Sequence, residues 1–75
     1  MANKIIIFSK NNFMQCKMTK KLLDKEGADY QEINIDERPD MIDYVKDLGF
    51  SAAPVVKAGD IIFSGFQPAK LKEII

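Results

Sequence analysis

The chain has no histidine, a single cysteine (Cys16), and equal numbers of basic and acidic side chains, eleven of each. Each shortage removes a class of support or function. Without histidine and with one thiol, the chain by itself can build neither a disulfide framework nor a zinc site of the usual Cys/His kind. Its fold must therefore be held by packing, and at 75 residues it is near the size where an unstapled core becomes marginal. The cancelled charge gives no domain-wide footprint for nucleic acid or an anionic membrane, so neither is expected as a partner. The N-terminal apolar run, Ile5 to Phe8, is far too short for a transmembrane helix or for the apolar region of a signal peptide. A cytoplasmic protein is expected, in a compartment where a free thiol stays reduced.

What is present is enough for a core. Hydrophobic residues make up 47% of the chain and charged ones 29%, a balance that sets it among soluble globular chains and apart from disordered ones. No repeat, linker or low-complexity segment divides it, and residues 1-75 are expected to form a single domain. Lys4 to Ser9 carries the β-branched block Ile-Ile-Ile-Phe between polar residues, the pattern of a central strand buried on both faces. Asn11 and Asn12 supply turn chemistry, and a helix is expected from about Met14 to Glu26 with Gly27 as its stop. On a helical wheel Cys16, Met18, Thr19, Leu22 and Leu23 are placed on one arc and Lys17, Lys20 and Lys21 on the other, which turns the sulfur inward. The lysines read as a solvated helix face rather than a docking patch.

Tyr30 to Ile35 alternates as a weaker strand nearer an edge. Pro39 opens a second helix, with Met41, Tyr44, Val45 and Leu48 at i, i+3, i+4 and i+7 before Gly49. Val55-Val56-Lys57 and Ile61-Ile62-Phe63 form a hairpin around Ala58-Gly59-Asp60. Gly65 breaks the second of these strands, and Gln67 to Ile75 closes as a short helix with Pro68 near its start. The expected fold is α/β, in two or three layers. Its order is strand, helix, strand, helix, strand, strand, helix, with a mixed four-stranded sheet: parallel in its first unit, antiparallel in its hairpin.

The segment that carries chemistry is Phe13-Met14-Gln15-Cys16, where the first strand hands over to the first helix. A strand, a brief polar loop and Cys-x-x-Cys at a helix start would spell a thiol-disulfide reductase. Here the first cysteine is a phenylalanine, and the chain cannot close an intramolecular disulfide. The plain reading of Cys16 is a buried, inert thiol that behaves as a small apolar side chain. A sharper reading is a residual monothiol, which requires an accessible sulfur with a lowered pKa. Phe13 and Met14, if both project from the loop, make an apolar spot suited to a protein partner.

Ser9-Lys10-Asn11-Asn12-Phe13-Met14-Gln15-Cys16, Gly49-Phe50-Ser51-Ala52-Ala53-Pro54-Val55-Val56 and Phe63-Ser64-Gly65-Phe66-Gln67-Pro68 resemble the glutaredoxin-like NrdH redoxins. These are thioredoxin-fold electron donors for ribonucleotide reductase, and the likeness runs over almost the whole chain. It implies a dithiol cycle in which a cysteine at the helix N-terminus attacks a substrate disulfide and a second, less exposed one resolves the mixed disulfide. Cys16 falls at the resolving position, and Phe13 stands where the nucleophile belongs. Three origins of Phe13 stay open: a divergence that retired the chemistry, a deliberate substitution, or the one-base change between Cys and Phe codons.

The resemblance further implies a cis peptide bond before Pro54, beside the active cysteines, with the backbone of Ala53 available to an extended substrate. Ser64, Gly65 and Phe66 match the loop of this family, and Phe66 departs from the Gly-Gly-acidic pattern of glutathione-dependent relatives. Reduction by thioredoxin reductase is implied, with no glutathione, bound metal or other cofactor, and a monomer is expected. The plain reading of Phe63 and Phe66 is core packing. The alternative from another class is a redox-silent module that keeps the Pro54 groove and holds a partner peptide.

Overall fold

A computed structural model of the chain describes residues 4–50 and 53–75. Seven elements follow in the expected order: β1 (Ile5–Ser9), α1 (Met14–Lys25), β2 (Tyr30–Asn34), α2 (Asp40–Asp47), β3 (Val55–Ala58), β4 (Ile61–Ser64) and α3 (Pro68–Ile74). The strands lie in the order β2-β1-β3-β4. Parallel pairing joins β1 to β2, and antiparallel pairing joins β1 to β3 and β3 to β4. The Ile-Ile-Ile-Phe strand is thus central, and its period of two sends successive side chains to opposite faces.

Both faces are covered, which makes the fold three-layered. On one side Ile5, Ile7, Val56, Ala58 and Phe63 pack against Leu23 of α1 and Leu71 and Ile74 of α3. On the other, Phe8 and Val55 pack with Ile35 and with Val45 of α2. Gly27 takes the left-handed conformation (φ 70°) as the C-terminal stop of α1, and Ala28 N–H donates to the Leu23 carbonyl at 3.0 Å, the usual way such an end satisfies its last carbonyls. Pro39 sits one residue earlier than expected, capping α2 rather than lying in its first turn, while Pro68 is the first residue of α3. Among the described residues no helix is long and apolar enough to cross a membrane.

The helical wheel of α1 needs two corrections. Met18 is 37% exposed, and Lys20 lies half-buried over the sheet, donating to Glu32 Oε2 at 2.9 Å. The geometry of the helix gives the reason: at about 100° per residue Met18 is turned roughly 200° from Cys16, while Lys20 is turned only about 40° from it. Cys16, Thr19 and Leu23 are the buried line. Lys17 and Lys21 are exposed.

Candidate functional site

The C-terminal end of β1, the N-terminus of α1, and the loops entering β3 and leaving β4 meet at one edge of the molecule. Open α/β sheets present ligand crevices at the carboxyl ends of their strands. β1 ends in the buried Ser9, and the chain turns through Asn11 and Asn12. Asn12 is in the left-handed region (φ 63°), which asparagine tolerates better than most residues. Asn11 N–H donates to Asp36 Oδ2 at 2.8 Å, and Lys10 Nζ lies 3.2 Å from the same carboxylate. The loop is thereby tied to the turn that follows β2.

Phe13 is the N-cap residue of α1, extended (φ −97°, ψ 115°) and without a side-chain capping bond. Its ring is 40% exposed, and Met14 beside it is 66% exposed; Lys10 Nζ stands 5.9 Å from the ring centroid. The apolar spot expected of these two side chains is therefore present. Cys16, two residues into the helix, is 1% exposed. Burial pushes its thiol above the ordinary value. A hydrogen bond with the Lys10 backbone and the charge of Lys20 pull it down, and the carboxylates of Glu32 and Asp36 push it further up. A raised, buried thiol is the reverse of what a monothiol nucleophile needs.

The peptide bond between Ala53 and Pro54 is cis, and both residues are buried. Pro54 lies next to the Gly65 loop: Gly65 N–H donates to the Pro54 carbonyl at 2.8 Å. Gly65 is left-handed (φ 82°), and Gln67 Nε2 donates to the Ser64 carbonyl at 2.7 Å, so the loop is fixed from within. Phe63 is buried, while Phe66 is half-buried against the α1/α3 core. Core packing accounts for the first ring wholly and for the second in part. Ser51 and Ala52, which belong to the matching segment before Pro54, lie outside the described residues.

Two features escaped the sequence. Gln15 Oε1 accepts the Phe66 N–H at 3.3 Å, joining the start of α1 to the Gly65 loop across 51 residues of chain. Its place inside the four-residue motif was the one available hint. The second feature is a polar cluster behind Cys16: Ser9 Oγ donates to Glu32 Oε2 at 2.6 Å, and Lys20 bonds the same oxygen. The Ser9 hydrogen bond, with Lys20 assisting against partial burial, holds the Glu32 carboxyl below its ordinary value. In sequence Lys20 reads as part of a solvated helix face, and nothing there singles out Glu32.

A Glutaredoxin family model matches residues 5–62 of the chain. The glutaredoxin-like protein NrdH of Lactococcus lactis subsp. cremoris is 47% identical over 70 residues, which is 93% of this chain and 97% of that protein.

The chain is an NrdH-type redoxin of the glutaredoxin family.

The crystal or solution neighbours of the redoxin agree with that placement. The NrdH-redoxin of Escherichia coli superposes with a TM-score of 0.92 at 35% identity, covering 96% of this chain and 95% of the other. A glutaredoxin from Archaeoglobus fulgidus follows at 0.84 and 34% identity, covering 99% and 86%. The redoxin has the thioredoxin-like α/β fold of its relatives. At the N-cap of α1 it presents a phenyl ring, which holds no ionisable group and cannot attack sulfur.

Proposed function

We propose that this redoxin, acting as one domain, keeps the scaffold of an electron donor to ribonucleotide reductase, with its nucleophile replaced by Phe13. The observation that carries the reading is the pairing of an exposed Phe13 at the helix N-cap with a buried Cys16. In a complete site a thiolate at position 13 attacks one sulfur of a substrate disulfide, forming a mixed disulfide and releasing the other sulfur as a thiolate. Cys16 then attacks the mixed disulfide, leaving an internal disulfide and a fully reduced substrate. NADPH, through thioredoxin reductase, supplies the two electrons that regenerate the dithiol. The thioredoxin-like activity profile of the E. coli NrdH-redoxin supports that reductant over glutathione, as does Phe66 in the loop. Reducing conditions, as in the cytoplasm, suit the free thiol.

Side-by-side NADPH oxidation with thioredoxin reductase and a disulfide substrate tests the reading. Phe13→Cys is expected to raise turnover by on the order of 100-fold or more over the parent chain, since removing a nucleophile commonly costs at least that much. Equal turnover in the two proteins would move the chemistry to Cys16 and overturn it.

A second reading is supported by the cis Ala53-Pro54 bond and the exposed Phe13 and Met14: a redox-silent module that receives an extended peptide along the Ala53 backbone. It predicts binding that is indifferent to Cys16→Ala, whereas the redox reading predicts none of the turnover surviving that change in the Phe13→Cys protein.

A further inference from the structure

The cluster of Ser9, Lys20 and Glu32 sits on the same side of the sheet as Cys16 and has no part in the dithiol cycle described above. Lys20 follows Cys16 by four residues on α1, one turn along the same helix face. Glu32 pairs with Ile7 in the β1-β2 register, and Ile7 belongs to the core packed under α1, so Glu32 points toward that helix. Its Oε2 is held at 2.6 Å by the hydroxyl of Ser9 and at 2.9 Å by Lys20 Nζ. Ser9 is 1% exposed, as is Cys16. A long, flexible lysine is thus fixed beside a buried sulfur by a carboxylate that is itself pinned to the central strand.

We propose that the Lys20-Glu32 pair, anchored by Ser9, is a positioning device for the ionisation of Cys16, in which Lys20 favours negative charge on the sulfur and Glu32 restrains that effect. The step concerned is loss of the thiol proton to solvent, which makes the sulfur able to attack a disulfide; no electron moves in it. Opposed charges at fixed positions act with opposite signs on a neighbouring titration; with both side chains about a third exposed (31% and 32%), solvent screens part of the effect. The charged groups around the sulfur are Lys20 from α1, Glu32 from β2, and Asp36 from the turn after β2, which also pushes the thiol upward. Asp36 is engaged by Lys10 and by the Asn11 N–H.

Because Cys16 is the only cysteine, carbon-13 labelling of cysteine Cβ gives one signal whose displacement with pH reports thiol ionisation in the folded protein, independently of any turnover. Glu32→Gln is expected to lower the midpoint and Lys20→Met to raise it, each by on the order of half a pH unit to one unit; the double variant returns toward the parent. Loosened packing would move both single variants in the same direction. A common direction, or midpoints that coincide with the parent, would overturn the proposal. Should a variant lose its fold, the parent carries the same test. The Glu32 carboxyl carbon must show a small second displacement as Cys16 ionises, absent in Cys16→Ala, and a parent without that step equally overturns it.

Discussion

At the scale of single residues, the partly buried ionisable groups set how stability changes with pH. Tyr30 donates its hydroxyl to Asp24 Oδ1 at 3.0 Å. Burial, and then this bond to a carboxylate, push its pKa up to about 12, against roughly 10 for a free phenol. A group whose value is raised on folding contributes stability in full below its unfolded value and loses it as pH rises through the folded one. Between about pH 10 and 12 the parent is therefore expected to lose stability through this residue. Tyr30→Phe removes that contribution, and its urea midpoint should fall less than the parent's on going from pH 9.5 to pH 11.5. Equal falls would show that the phenol does not distinguish folded from unfolded chain. Phe13 belongs to this scale too: one side chain places a ring without an ionisable group at the N-cap of α1.

Among the elements, the joint between β4 and α3 carries the loop that faces the motif. Gly65 holds φ 82°, a conformation that costs a residue with a Cβ about 1–2 kcal/mol. A Cβ placed there would meet Gln15 Oε1 at 3.5 Å, an ordinary contact, so the cost is conformational rather than steric. Gly65→Ala is expected to lower stability by about that amount in a denaturant titration, with the m-value unchanged. No loss would mean that the loop relaxes out of the left-handed form. Most of the elements were legible in the sequence because each is written locally, in the β-branched run of β1, the i, i+3, i+4 spacing of α2, the turn residues 59 and 60, and the prolines at the helix starts. The wheel of α1 was misread at Met18 and Lys20, where apolar or charged character outweighed the actual angle around the helix. Met18 lies on the outer side although it is apolar, and the long stem of Lys20 lets a charged residue lie along the inner side with its head on Glu32.

For the molecule as a whole, stability rests on two hydrophobic clusters, one on each face of a single sheet, and a single cysteine leaves no intramolecular disulfide to support them. Leu23 is fully buried where α1 meets the sheet. Leu23→Ala is expected to cost about 2–5 kcal/mol through lost burial and the cavity left behind, against a total of roughly 4–11 kcal/mol for a chain of this length. Urea unfolding should show the variant close to the edge of folding at 25 °C, while Gln31→Ala, at an exposed position of β2, stays near the parent. A loss below about 1 kcal/mol for Leu23→Ala would mean that the site collapses around the smaller side chain.

By itself the sequence determined which segments become strands and helices, and that phenylalanine rather than cysteine stands three residues before Cys16, because these depend on local propensity, side-chain period and residue identity. Tertiary structure alone decided that Gln15 bonds Phe66, that Gly65 bonds Pro54, and that Ser9, Glu32 and Lys20 converge behind Cys16. Those contacts join residues 11 to 51 positions apart, and their partners are matched only when the β1-β2 register and the packing of α1 on the sheet bring separate stretches of chain to the same place.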